Sequence, residues 1–364
     1  MGEKLDILIA MAGYMLIVIL IGVFFAKRSQ ASTENYFLGG RSLGPWVAAM
    51  SAEASDMSGW LLMGLPGVAY WCGLADAAWT AIGLALGTYI NWLLVSRRLR
   101  SYSIVSGDSI TVPDFLSNRF HEKKKVILGV SAIFILIFFT VYAASCFVTC
   151  GKLFAGLFDL PYHAMMLTGA AFVLIYTILG GFLAESASDF MQAIVMILAL
   201  LGVLIFGVSH AGGIGAVIDN AKDIPGFLSL TSIASPIVDA NGVQQTANGI
   251  AQFGQAGSYG WITILSTLSW GLGYFGVPQV LLRFMAIRKG SELNRSRRIA
   301  TVWCVISLVA AVSIGILGRK IFPFDAALAT KSASENIFAQ LSQLLFHPVV
   351  AGIIMAGILA ATIS

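Results

Sequence analysis

The amino-acid sequence predicts an all-α polytopic membrane protein, on three observations. Of its 364 residues, 58% are hydrophobic and only 11% are charged, with a mean hydropathy of +0.85; a soluble domain carries roughly a quarter charged residues. Apolar runs of about twenty residues, long enough to cross a bilayer as helices, recur from end to end. Lys and Arg gather in alternate connections, so the net charge of +4 reads as membrane topology and not as nucleic-acid binding.

The elements follow in order. The first apolar run, about 7–26, begins after "MGEKLD" and is followed by no small-residue cleavage site, which predicts an uncleaved span. Further spans are expected at 45–72, 76–96, 126–157, 163–184, 188–210, 256–286, 299–322 and 345–364. The ninth is still apolar at Ser364, so the sequence is expected to be a piece truncated in span 9. The connections after spans 1, 3 and 7 hold sixteen of the 22 Lys and Arg, including Arg41, the "HEKKK" run and Arg283 to Arg298. That bias places the N-terminus outside and the basic connections in the cytoplasm.

The polar segment 211–255 is expected outside, with its "GGIG" a turn, because no preceding strand or Lys-Ser/Thr supports a phosphate loop. "GLALG" in span 3 spaces small residues for close helix packing. Cys72, Cys146, Cys150 and Cys304 read as buried small residues; no His or carboxylate joins Cys146 and Cys150, so no metal site is expected. The four histidines are scattered and suggest no chemistry.

Two spans are interrupted alike. Span 2 carries "SDMSGWLLMGLPG" (55–67) and span 7 carries "STLSWGLGYFGVP" (266–278), each with a hydroxyl, a Trp, glycines and a Gly-x-Pro ending. Glycine and proline weaken helical continuity and free backbone polar groups. In hydrocarbon those groups must be satisfied within the protein or around a cavity. Paired breaks in two halves point to an inverted-repeat transporter, with spans 2–6 as one five-helix repeat and spans 7–9 opening the second. A packing kink is the plainer alternative for either span alone.

Span 2 also holds Glu53 and Asp56 but no Lys or Arg. A carboxylate at mid-bilayer costs at least about 2.5–3.5 kcal/mol, and a hard monovalent cation would offset that. Such an ion prefers oxygen ligands. Candidates are the carbonyls of Ala54 and Met57 with Asp56, joined by Thr362 and Ser364 from span 9. Trp270, Tyr274 and Pro278 could wall a pocket for a small, partly apolar solute. Asp189 stands where span 6 is expected to start, and with Ser188 could simply cap that helix.

These blocks resemble the sodium:solute symporter family. The residues that carry the resemblance are 35–67, "FFTVYAAS" (138–145), "GGFLAESASDFMQA" (180–193), "WGLGYFGVPQVLLRFMA" (270–286) and "ILAATIS" (358–364). It implies a thirteen-span protein with a leucine-transporter-like core of two inverted five-helix repeats: 7–26 an extra N-terminal span, 45–210 the first repeat and 256–364 the start of the second, all within one transporter domain over 1–364. It implies that sodium and L-proline move inward together across the plasma membrane, with no other cofactor.

The implied sodium site is Ala54, Asp56, Met57 and Ser364, the last from a Ser-Thr pair whose threonine would follow. The implied solute site is Ser58, Gly59, Trp60, Tyr142, Trp270, Tyr274 and Pro278. Arg41 matches a cytoplasmic residue tied to coupling, and Asp189 is the second residue expected to serve coupling. Ala187 and Ser188 stand where an aromatic and a hydroxyl are expected ahead of Asp189. A symporter for another small solute, such as pantothenate or another amino acid, is the nearest alternative, and a transporter-like sensor domain is the one from another class. No nucleophile–base pair is visible, so a non-enzyme is expected. No repeated polar stripe suggests a channel.

Overall fold

The computed structural model describes residues 2–158 and 160–363. It is built almost wholly of helices. They run α1 (Gly2–Ser29), α2 (Thr33–Leu38), α3 (Pro45–Met57), α4 (Gly64–Cys72), α5 (Leu74–Leu94), α6 (Ser96–Val105), α7 (Val112–Arg119), α8 (Val126–Phe158), α9 (Tyr162–His210) and α10 (Ile214–Lys222). After two small hairpin ladders come α11 (Trp261–Leu268), a 3-10 segment (Ser269–Phe275), α12 (Pro278–Ala286), α13 (Leu293–Ile321), a 3-10 turn (Ala333–Asn336), α14 (Ile337–Leu345) and α15 (Pro348–Ile363). Among the described residues each of the nine apolar stretches is mainly helical, and α1, α5, α8, α9 and α13 are long and apolar enough to cross a membrane.

The interrupted second span is two helices, α3 and α4, parted by an irregular turn at residues 58–63. The seventh is α11 and α12, joined through the 3-10 segment. Proline opens both α3 and α12, at the position where its missing N–H costs nothing. The expected boundary between spans 5 and 6, at 185–187, is not observed. Gly181 turns the chain instead, at φ 56° and ψ −166°. In a straight helix residues twelve apart lie about 18 Å apart, yet the Tyr176 and Ser188 hydroxyls are in hydrogen-bond contact. Hence α9 is a hairpin of two spans. Gly181 is required there because its φ is positive and because a Cβ would lie 3.0 Å from the Tyr36 carbonyl oxygen.

The "GLALG" expectation holds. A Cβ on Gly83 would lie 2.8 Å from Leu268 Cα, and one on Gly87 would collide with the Gly271 carbonyl, so α5 rides directly on the 3-10 segment. "GGIG" is a turn leading into α10. The polar segment beyond it folds into β1 (Ser232–Ile233), β2 (Thr246–Ala247), β3 (Ile250–Ala251) and β4 (Gly257–Ser258). β1 pairs antiparallel with β4, Ser232 opposite Ser258, and β2 with β3, Thr246 opposite Ala251. Arg319, 2% exposed, ties this segment down: it bonds the Tyr70 carbonyl at 2.9 Å and Gln244 Oε1 at 3.3 Å while lying over the Tyr70 ring.

The main core gathers side chains from α1, α3, α4, α9, α13, α14 and α15. A smaller one, with Leu38, Leu43, Trp92, Phe182 and Phe284, lies where the basic connections meet. There Leu43 pairs its backbone with Ile287, and Arg100 Nε donates to the Ile287 carbonyl at 2.7 Å. The three basic connections therefore share one face.

Candidate functional site

The site is organised by the turn at 58–63. Ser58 has φ 49°, a left-handed conformation that costs a non-glycine residue about 1–3 kcal/mol and tends to persist at functional sites. Gly59 presses against two neighbours, since a Cβ there would lie 2.7 Å from Thr149 Cγ2 on α8 and 3.2 Å from Thr362 Oγ1 on α15. The end of α15 is thus beside the break, as its hydroxyls predicted. Thr362 Oγ1 donates to the Ile358 carbonyl at 2.7 Å. Ser364 lies outside the described residues.

Ala54, Asp56 and Met57 close α3 just before this turn. The Met57 carbonyl still accepts from the Leu61 N–H at 3.2 Å, so its second lone pair is the one available to a ligand. The Tyr274 hydroxyl lies 3.8 Å from Met57 Sδ, at the end of α3 next to Asp56. Tyr274 itself is positioned by α5, where Asn91 Nδ2 donates to its carbonyl at 2.7 Å and satisfies backbone freed by the 3-10 segment. The Tyr142 hydroxyl reaches from α8 to the Ser55 carbonyl at 3.0 Å. Trp60 stacks on Trp270 with centroids 5.5 Å apart. Pro278, the first residue of α12, follows the same segment.

The structure therefore brings Tyr142, Trp60, Trp270 and Tyr274 around the break from three different elements. A cavity of about 330 Å3 opens beside it, lined by Ser58, Gly59 and Trp60 together with Cys146 and Thr149 of α8.

The other two polar residues lie elsewhere. Arg41 is a clamp on the basic face: it donates to Ser103 Oγ at 3.2 Å, to the Met285 carbonyl at 2.9 Å, to Asp108 Oδ1 at 2.9 Å and to the Ser109 carbonyl at 2.9 Å. Asp189 is not a helix cap, because α9 resumes at Gly181 and carries it well inside the second arm. It is fully buried and bonded to Arg283 Nη2 at 2.8 Å, Ser51 Oγ at 2.7 Å and Ser55 Oγ at 3.1 Å.

This cluster is what the residue-level reading missed. Arg283 is 1% exposed, not a connection arginine setting topology, and it also bonds Ser51 Oγ at 2.9 Å and Glu185 Oε1 at 3.0 Å. Its place in the apolar stretch "VLLRFMA" was the available signal, since intramembrane charge is rarely idle. The hydroxyls of α3 thus face two ways: Ser51 and Ser55 toward this ion pair, Ser58 toward the cavity.

Residues 36–364 match the profile of the sodium:solute symporter family. The chain belongs to the sodium:solute symporter family. It is an integral membrane protein. It is similar to the sodium/proline symporters of Staphylococcus aureus strains USA300 / TCH1516 and JH9, with 41% identity over 356 residues, covering 98% of this chain. The chain spans 64% of the length of those relatives. It also superposes on the substrate-bound outward-open state of a Na+-coupled sialic acid symporter, with a TM-score of 0.77 at 17% identity, covering 98% of this chain and 71% of that one. That likeness is one of fold.

Proposed function

We propose that the protein couples uptake of L-proline to sodium by alternating access, in a plasma membrane, with its N-terminus outside. The observation that carries this reading is the broken span: Ala54, Asp56 and Met57 close α3 just before a turn that lines a cavity with Ser58, Gly59 and Trp60, while Trp270 stacks on Trp60 and the Tyr142 and Tyr274 hydroxyls reach the end of α3. The 41% identity to sodium/proline symporters supports the choice of solute.

Sodium is held by the carbonyls of Ala54 and Met57 with Asp56 close by and the hydroxyl of Ser364, oxygen ligands that suit a hard cation. Proline lies against Ser58, Gly59, Trp60, Tyr142, Trp270, Tyr274 and Pro278, its apolar ring toward the indoles and its carboxylate toward the amides of the unwound turn. Residues 45–210 and 256–364 act as two inverted repeats that rock around this point, with 7–26 packed outside them. Arg41 and Asp189 transmit the state of the site to the basic face. Each sodium that crosses draws on roughly 2.3 kcal/mol per 100 mV of membrane potential in addition to its gradient.

The test is uptake of labelled L-proline by the protein in vesicles, with and without a sodium gradient. Gradient-dependent accumulation is expected. Uptake indifferent to sodium defeats the coupling, and sodium-driven uptake of a different solute defeats the assignment of proline. Replacing Tyr274 by Ala raises the proline concentration for half-maximal uptake; an unchanged value removes Tyr274 from the pocket.

A further inference from the structure

The cavity beside the break has a charged rim. Lys152 of α8 and Glu335 of the turn Ala333–Asn336 both line it, with Lys152 Nζ 2.8 Å from Glu335 Oε2 and 3.1 Å from Ser332 Oγ. The two side chains are 32% and 35% exposed. Lys152 lies 26 residues along α8 from Val126, about 39 Å of helix, so this rim is at the end of the molecule opposite the basic face.

The two partners are anchored differently. Glu335 is held by its backbone: a Cβ on Gly67 of α4 would come within 2.9 Å of its amide nitrogen, and Ser334 Oγ donates to the Gly67 carbonyl at 3.2 Å. The Lys152 ammonium swings on a four-carbon stem. The rim is therefore a fixed anion and a movable cation, on a cavity that Ser58 and the Trp60 indole also line.

A half-exposed ion pair is worth little, because water screens it and two side chains must be ordered to hold it. A ligand bearing the same two charges can replace it with little loss. An amino-acid zwitterion has that pattern on one carbon: a carboxylate for Lys152, an ammonium for Glu335, and a hydrocarbon part that faces Trp60.

We propose that Lys152 and Glu335 form a rim subsite for the zwitterionic head of an amino-acid solute on its way to the break. This rests on the solute reading above. The exchange of partners has a mechanical consequence. In the absence of solute the pair ties α8 to the turn docked on α4, across the mouth of the cavity. A zwitterion that takes both charges undoes that tie as it arrives.

The experiment compares proline with prolinamide, which keeps the ammonium and lacks the carboxylate, as inhibitors of labelled proline uptake by the protein in vesicles. Lys152→Gln is expected to weaken proline about fivefold, the scale of one partly exposed charge pair, and to leave prolinamide within about twofold. Glu335→Gln is expected to weaken both by a similar factor. The reversed pair Lys152→Glu with Glu335→Lys restores the tie but turns the subsite around, so proline stays weak.

Equal effects of Lys152→Gln on the two compounds, or recovery of normal proline inhibition in the reversed pair, would mean a latch without recognition and would overturn the proposal. Wild-type uptake with those outcomes sinks the rim subsite alone. Wild-type vesicles with no sodium-dependent proline uptake sink the solute reading and the subsite together.

Discussion

Glu53 and Asp56 are one helical turn apart on α3, yet their surroundings differ. Glu53 is 3% exposed and takes a single 3.4 Å bond from Trp92 Nε1 on α5, away from the cavity. Asp56 is next to last in α3, at the break, where the Tyr274 hydroxyl reaches the adjacent Met57. Asp56→Asn is expected to raise the sodium concentration for half-maximal uptake about tenfold or more, the loss of about 1.4 kcal/mol of ion binding. Glu53→Gln should stay within about threefold, a smaller loss than one full tenfold step; a shift as large as that of Asp56→Asn would exchange their roles. Arg283 sets a different kind of expectation. Its removal leaves Asp189 buried and uncompensated, which costs about 3–5 kcal/mol. Arg283→Ala should lower the thermal unfolding midpoint in detergent sharply. Arg283→Lys should recover only part of it, because one ammonium cannot serve Ser51, Glu185 and Asp189 as the planar fork does. An undiminished midpoint in Arg283→Ala would show that the cluster adds no stability.

At the scale of elements, two close approaches hold the broken spans in place. The 3-10 segment lies on α5 because Gly83 and Gly87 have no side chains to keep it away. Gly87→Val puts a branched side chain where the Gly271 carbonyl sits, and overpacking of this kind costs about 1–3 kcal/mol. Uptake should fall well before the protein unfolds, since the strain is delivered to Tyr274 and Trp270; normal uptake in that variant would mean the segment can shift freely. The second approach is the hairpin of α9. Gly181→Ala meets the Tyr36 carbonyl and an unfavourable φ together, at a cost of about 1–2 kcal/mol. The unfolding midpoint measures it directly.

For the whole molecule, the structure has a basic face, where Arg41, Arg100 and the residues after α12 interlock, and an opposite end where α8 meets the turn before α14. With the basic face in the cytoplasm, a membrane-impermeant maleimide applied outside should label Lys331→Cys and spare Asp108→Cys, on a background with Cys72 and Cys146 replaced. The reverse pattern would invert the topology. Much of this architecture was legible in the residues. Span positions, both breaks and the packing of span 3 follow from length, Gly, Pro and small-residue spacing, and these act within a few residues of themselves. Tertiary structure decided the partners. Asp189 passed for a helix cap and Arg283 for a topology charge because the two lie 94 residues apart, and Ser51 lies 232 residues from Arg283. Only the packing of α3, α9 and α12 brings them within hydrogen-bond distance. The same holds for Gly181: the polar run from Glu185 to Asp189 drew the expected boundary, whereas the packing places the turn at the Gly180–Gly181 pair before it. Local chemistry determines where a chain can break in a membrane. Which charges meet is set by how the helices pack around the break.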